Sequence, residues 1–191
     1  SFVNHAFTTR IGGVSEQEFA AMNLGFNRGD DPERVAENYR RFCEAAGFET
    51  ESLVCGAQDH HINIRRVGKD QRGIGIWRKK DRDSIDGLCT NDPSVTLVIY
   101  CADCVPLYFA DPEHKAIGLA HAGWRGTALD LPAKAVAEMG RLYGARPRDI
   151  HVAIGPGIGS CCFETHDDVP DALRAAFGPG LNFAMFPQPD R

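Results

Sequence analysis

Apolar positions along this chain follow two rhythms, helical spacing towards both ends and short unbroken runs through the middle. In DDPERVAENYRRFCEAAGF, the residues Val35, Tyr39, Phe42 and Ala46 recur three or four apart, which lines one face of a helix. Asp31 can cap that helix, Pro32 suits its first position and Gly47 ends it. The stretch from Arg10 to Gly25 carries Gly12, Gly13 and Gly25 and reads as loops whose backbone approaches something closely. VTLVIY (95–100), VPLYFA (105–110), KAIGLAHA (115–122) and DIHVAIG (149–155) are rich in β-formers and bounded by Asp, Pro and Gly, which predicts buried strands. A T-x-x-D capping box, Thr127 and Asp130, predicts a second helix that turns Leu129, Ala133, Val136 and Leu142 to the core and stops at Gly144. A third helix is expected from Asp167 or Asp168, with Pro170 in its first turn, to about Gly178. Strands and helices without regular βαβ alternation predict an α+β fold with layered, mixed sheets. No repeat, linker or low-complexity tract divides residues 1–191, so one domain is expected.

Composition narrows the classes of function. A chain of 191 residues, 43% hydrophobic and 25% charged, suffices for one buried core. The net charge is −5, with Lys and Arg scattered, so there is no basic footprint for nucleic acid. No apolar run approaches the roughly 20 residues of a membrane span, and SFVNHAFTTR lacks the apolar core of a secretory signal. A cytoplasmic protein acting on a small molecule is the expectation. Seven cysteines without a secretory signal favour thiols, metal ligands or a nucleophile over a disulfide framework.

The densest chemistry lies in Tyr100-Cys101-Ala102-Asp103-Cys104-Val105-Pro106 and His121-Ala122-Gly123-Trp124-Arg125-Gly126, each where an apolar run passes into a polar turn. Gln58-Asp59-His60-His61 forms a polar break between Leu53-Val54 and Ile62. His60, Cys104 and His121 offer two imidazoles and one thiol, a set that holds catalytic zinc and leaves a fourth position for water. Zinc brings the pKa of such water to about 7. By residue type alone, the same three also read as a small buried hydrophobe and two satisfied polar rings. Cys101-x-x-Cys104 has dithiol spacing but lies between two strands rather than opening a helix. Gly155-Pro156-Gly157-Ile158-Gly159 lacks the phosphate-loop patterns and reads as a tight turn. The adjacent Cys161 and Cys162 are either core packing or reactive edge thiols.

FTTRIGGVS (7–15), MNLG (22–25), Gln58-x-His60, DGLCT (86–90), ADCVPLYFAD (102–111), GLAHAGWRG (118–126) and IGPGIGSCCFE (154–164) occur in this order. Through them the chain closely resembles the YfiH-type family, variously called multicopper polyphenol oxidase, laccase-domain protein or purine nucleoside phosphorylase. The resemblance implies a four-layer α/β/β/α sandwich and a zinc on His60, Cys104 and His121. It further implies metal-dependent phosphorolysis of inosine, adenosine, guanosine and methylthioadenosine, with adenosine deaminase activity. His61 stands where the family has Gly and brings a second imidazole that competes for the metal. The family pattern also continues past the third helix, so the chain is expected to lack the C-terminal segment.

The nucleoside reading needs an anion site, for which Arg10 and Arg125 carry guanidinium groups suited to phosphate, although either also serves as a surface ion pair. Asn23 can bond a ribose or base, and Asp103 can orient a ligating histidine or act as a base. Asp103, Cys104 and His121 are therefore the expected catalytic residues, with Arg10, Asn23 and Arg125 on the substrate. A copper oxidase is the weaker reading, because the seven histidines form no H-x-H pair. A blue-copper site also needs an axial Met, and Met22, Met139 and Met185 all lie away from cysteines in sequence. The family's fold is similar to the catalytic domain of cytotoxic necrotizing factor toxins, so a Cys104–His121 thiol hydrolase is a second reading. A non-catalytic metal-binding or partner-binding module is a third. In the zinc reading the three ligands converge even without metal, and His61 points away.

Overall fold

The computed structural model describes residues 2–178. Helix α1 spans Pro32–Ala46, with the Asp31 carboxylate accepting from the Glu33 N–H and Gly47 closing the end in the left-handed conformation. Parallel strands β1 (Leu53–Cys55) and β4 (Thr96–Val98) make a two-stranded sheet. Strands β2 (Asn63–Arg66), β3 (Ile85–Thr90), β5 (Val105–Asp111), β6 (Ala116–Ala122) and β7 (His151–Ile154) make a five-stranded sheet in the order β2-β3-β6-β5-β7. Only β2 and β3 run parallel in it. Helices α2 (Trp124–Ala128), α3 (Leu131–Tyr143) and α4 (Asp168–Phe177) and four short 3₁₀ turns complete the described elements.

The alternation of side chains along each strand builds the layers. Leu53 and Cys55 on one face of β1 pack with Val35, Tyr39 and Cys43 of α1. Val54 on the other face packs with Ile85 and Leu88 of β3. Across β3, Cys89 joins Leu107, Phe109, Ala116 and Ala120 against Leu131, Ala135 and Met139 of α3. The order is therefore helix, sheet, sheet, helix, in agreement with the α+β class and with the four layers implied by the resemblance.

Three expectations need correction. Thr127 and Asp130 do not form a capping box: the Thr127 hydroxyl donates to the Gly123 carbonyl, and Asp130 caps no group and has a left-handed backbone between α2 and α3. The buried face of α3 consequently starts at Leu131 and runs through Ala135 and Met139, while Leu129 is half exposed at 52% and Ala133 lies outside. The run 149–155 does form a strand, but β7 is exposed at every position because it pairs only with β5 at the sheet edge. The hydrophobic pattern passes over β1, β2 and β3, which are short or broken by Asp86, Gly87 and Thr90.

Asn38 breaks the apolar face of α1 yet is fully buried. Its amide donates to Ser15 Oγ, Ala21 O and Asn23 O at 2.9, 3.2 and 2.8 Å, and its carbonyl accepts from Val14 N at 2.7 Å. One side chain thus replaces the regular backbone pairing that the 14–23 loop lacks. Asn38→Ala is expected to cost about 3 kcal/mol, since it strands several buried polar groups. Urea unfolding measures the loss, and limited proteolysis is expected to cut first within residues 10–23.

Candidate metal centre

Strand register explains how distant residues meet. Pro106 lies opposite His121 and Val105 opposite Ala122 in the β5–β6 ladder. One further step along that register sets Cys104 opposite Gly123. Gly87 lies opposite Ala120 in the β3–β6 ladder, so Asp86 stands beside His121. His60 lies in the link between β1 and β2 with φ +68, a left-handed backbone that costs a residue other than glycine some strain.

Candidate ligand atoms of His60, Cys104 and His121 all lie within 4.8 Å of one another. The His60 and His121 ring centroids are 5.0 Å apart. His60 is exposed, Cys104 half-buried and His121 buried, so the group opens to solvent on one side. His61 falls outside the group, and only its backbone reaches the centre. The Asp86 carboxylate lies at the bottom, 1% exposed. It accepts from the backbone N–H of Asp59, His60 and His61 at 3.3, 3.0 and 2.8 Å and meets His121 Nδ1 at 2.9 Å. Donation by Nδ1–H fixes the tautomer that leaves the Nε2 lone pair for a metal.

Charge and space both suit a cation. Burial would push the Asp86 carboxyl up, but His121 and the three backbone donors outweigh it and hold it below the ordinary carboxylate value. Burial first, then the charges of Asp103 and Asp86, push the Cys104 thiol up. A divalent ion reverses that bias and stabilises the thiolate. A Cβ built on Gly123 would lie 2.8 Å from His60 Nδ1 and 3.0 Å from Cys104 Sγ. Glycine there leaves the space between the ligands free.

The other expected site residues separate. Asp103 is exposed beside Cys104, and the orienting role assigned to it belongs to Asp86. Arg10 spends Nε and Nη2 on the Ala20 carbonyl at 3.1 and 2.7 Å, and the Arg125 guanidinium stacks on Trp124 at 4.2 Å. Neither lines the cleft of about 2510 Å³ that opens beside the ligands. Asn23 does line it, but its amide donates to Asp30 and its carbonyl oxygen accepts from Gly25 N, both at 2.9 Å. The cleft instead exposes Arg28, Lys79 and Lys80, together with Phe26, Trp77 and Tyr100. Gln58 grips Tyr100 from both sides, accepting from its N–H and donating to its carbonyl at 2.8 Å. Cys161 and Cys162 are exposed, which excludes core packing. Met185 lies outside the described residues. No described helix is long and apolar enough to cross a membrane.

Fold and site together define an α+β protein with a three-ligand group, His-Cys-His, able to hold a metal ion. The profile of the multi-copper polyphenol oxidoreductase laccase family matches residues 4–187, and the chain belongs to that family. It is 42% identical over 173 residues to purine nucleoside phosphorylase YlmD of Geobacillus stearothermophilus, covering 90% of this chain and 63% of that protein. It is 43% identical over 174 residues to a purine nucleoside phosphorylase of Deinococcus radiodurans, covering 91% of this chain and 64% of that one. The crystal structure of the Bacillus licheniformis hypothetical protein YfiH superposes with a TM-score of 0.83 at 38% identity, over 88% of this chain and 63% of that one. The chain therefore spans less than two thirds of the length of these relatives.

Two outcomes follow from the geometry. Gly123→Ala forces a methyl group between His60 and Cys104 and is expected to weaken metal binding about tenfold or more, read by competition with a chromogenic chelator. The lowered pKa of Asp86 contributes stability that is complete above the ordinary carboxylate value of about 4 and disappears as pH falls through the folded value. Urea unfolding of the metal-free protein should therefore lose more stability from about pH 5 to about pH 2 in the wild type than in Asp86→Asn.

Proposed function

We propose that this chain carries the centre of a zinc-dependent purine nucleoside phosphorylase for inosine, adenosine, guanosine or methylthioadenosine, and that the same centre deaminates adenosine. The observation that carries this reading is the meeting of two imidazoles and a thiol within 4.8 Å at a cleft with aromatic and cationic walls. The names of the Geobacillus and Deinococcus relatives support it. The donor set fits zinc, which takes nitrogen and sulfur ligands without a preferred d-electron geometry. When bound, zinc supplies a Lewis acid and a water of lowered pKa.

The protein's own residues supply the rest. Asp86 holds the His121 ring through Nδ1 and so turns Nε2 towards the centre. Phe26 and Trp77 pack against the buried Tyr39 with centroids 5.3 to 5.7 Å apart, and with Tyr100 they offer flat apolar surface to a purine. Arg28 and Lys80, which line the cleft as Arg10 and Arg125 do not, are the candidates for phosphate. The exposed Asp103 carboxylate beside Cys104 is suited to exchange a proton with the leaving base. A thiol hydrolase would draw on the same His121–Asp86 pair, but a nucleophilic cysteine needs a depressed pKa, and Cys104 is pushed the other way.

The purified protein is expected to bind one zinc per chain and to release hypoxanthine from inosine only with phosphate present. Cys104→Ala is expected to lose both. Zinc-loaded protein that leaves every purine nucleoside intact, or copper-loaded protein that oxidises phenols, sinks the reading.

A further inference from the structure

The loop from Gly155 to Glu164 plays no part in the function proposed above, although it lies against the metal centre. Gly155 N donates to the Pro106 carbonyl at 2.9 Å, and Ile158 N donates to the Asp103 carbonyl at 2.8 Å. A Cβ on Gly157 would come within 2.8 Å of Val105 Cγ2 and 3.3 Å of Asp103 O, so the loop backbone rests directly on the segment around Cys104. The loop then turns tightly, with Cys162 N and Phe163 N both donating to the Gly159 carbonyl at 3.0 and 3.1 Å. In that turn the Cys161 and Cys162 sulfurs face each other at 3.4 Å.

These are the two exposed cysteines of the chain. Cys43, Cys55 and Cys89 are buried, and Cys101 and Cys104 are half-buried. A thiol reagent in solution therefore meets the adjacent pair first. We propose that Cys161 and Cys162 are a reversible dithiol–disulfide site, oxidised by hydroperoxides, whose closure acts on the metal centre through the Asp103 contact. One sulfur attacks the peroxide oxygen, the O–O bond breaks, and a sulfenic acid and an alcohol (water, from hydrogen peroxide) form. The neighbouring thiol attacks that sulfur, the S–S bond forms and water leaves. The balance is two thiols and one hydroperoxide giving one disulfide, one alcohol and one water. An external dithiol reverses it by exchange.

The geometry explains both reversibility and reach. Adjacent residues hold their Cα atoms about 3.8 Å apart, whereas disulfides prefer about 4.4–6.8 Å. Closing the sulfurs from 3.4 Å to bonding distance thus strains the turn, and strained, exposed disulfides are the easily reduced ones. The turn can relieve the strain only by moving its backbone, which is tied to Asp103 one residue from Cys104. Formation of the disulfide does not depend on the zinc reading, but its effect on the metal does.

Zinc-loaded protein is treated with about one equivalent of hydrogen peroxide. Intact mass is expected to fall by two hydrogens, peptide mapping to join Cys161 to Cys162, and dithiothreitol to restore the mass. Zinc transfer to a chelator is expected to change by about threefold or more between the two forms. Neither C161S nor C162S should show either change. A disulfide between Cys101 and Cys104, oxidation confined to Cys104, or a Cys161–Cys162 disulfide that leaves zinc transfer unchanged overturns the proposal. If the protein binds no zinc, the phosphorylase reading fails on its own. The effect of the disulfide is then read as the alkylation rate of Cys104 by iodoacetamide, and equal rates in both forms overturn the proposal.

Discussion

A carboxylate sealed inside a sheet must find donors, and Asp86 finds four, from two separate segments. The three backbone donors come from the Asp59–His61 link and hold His60 in its left-handed conformation. The fourth is the ring of His121. The same group therefore sets where one ligand's backbone lies and how another ligand's ring is turned. Cys104 enters through β5, whose register on β6 is carried by seven residue pairs. The ligand triangle is thus fixed mostly by sheet register and one buried charge, while the exposed His60 side chain retains the freedom to close on an ion.

The elements legible in the sequence are those in which one face is continuously apolar. The α1 stripe and its Asp31, Pro32 and Gly47 boundaries come through, as do β5 and β6, which are core-facing runs. Strand β3 does not, because its Asp86 and Thr90 are buried polar residues that a hydrophobic pattern counts as surface. Asn38 is hidden for the same reason. In both cases the side chain replaces backbone pairing that a loop elsewhere lacks, and that need is visible only once the loop is in place. In the ligand set, Cys104 and His121 flank or end strands that the pattern does mark, whereas His60 stands between two that it passes over and was legible only from its polar break and its motif.

The remaining site residues show what residue type leaves out. Asp103 is adjacent to Cys104 in the chain but lies exposed in the bend before β5, and the carboxylate that reaches His121 comes across the ladder from β3 instead. The signal available in the sequence was an acidic residue between Ile85 and the apolar Leu88-Cys89, an unlikely place for an exposed charge. Arg10 and Asn23 are spent on their own loop. Arg28 and Lys80 reach the cleft from connections whose course no local pattern predicts.

The electrostatics of the centre suit a cation. Two carboxylates lie near a thiol that they and its burial keep protonated. Such an arrangement favours neither a free thiolate nor a neutral core. A divalent ion would change the balance, because the Cys104 thiolate and a nitrogen of His121 could hold it while the two carboxylates offset its charge. Binding must then release the Cys104 proton, so affinity rises with pH. The left-handed backbone at His60 turns its N–H to the buried Asp86, and glycine at 123 keeps a side chain out of the space between His60 and Cys104. Both features leave the three candidate ligands free to meet around one ion.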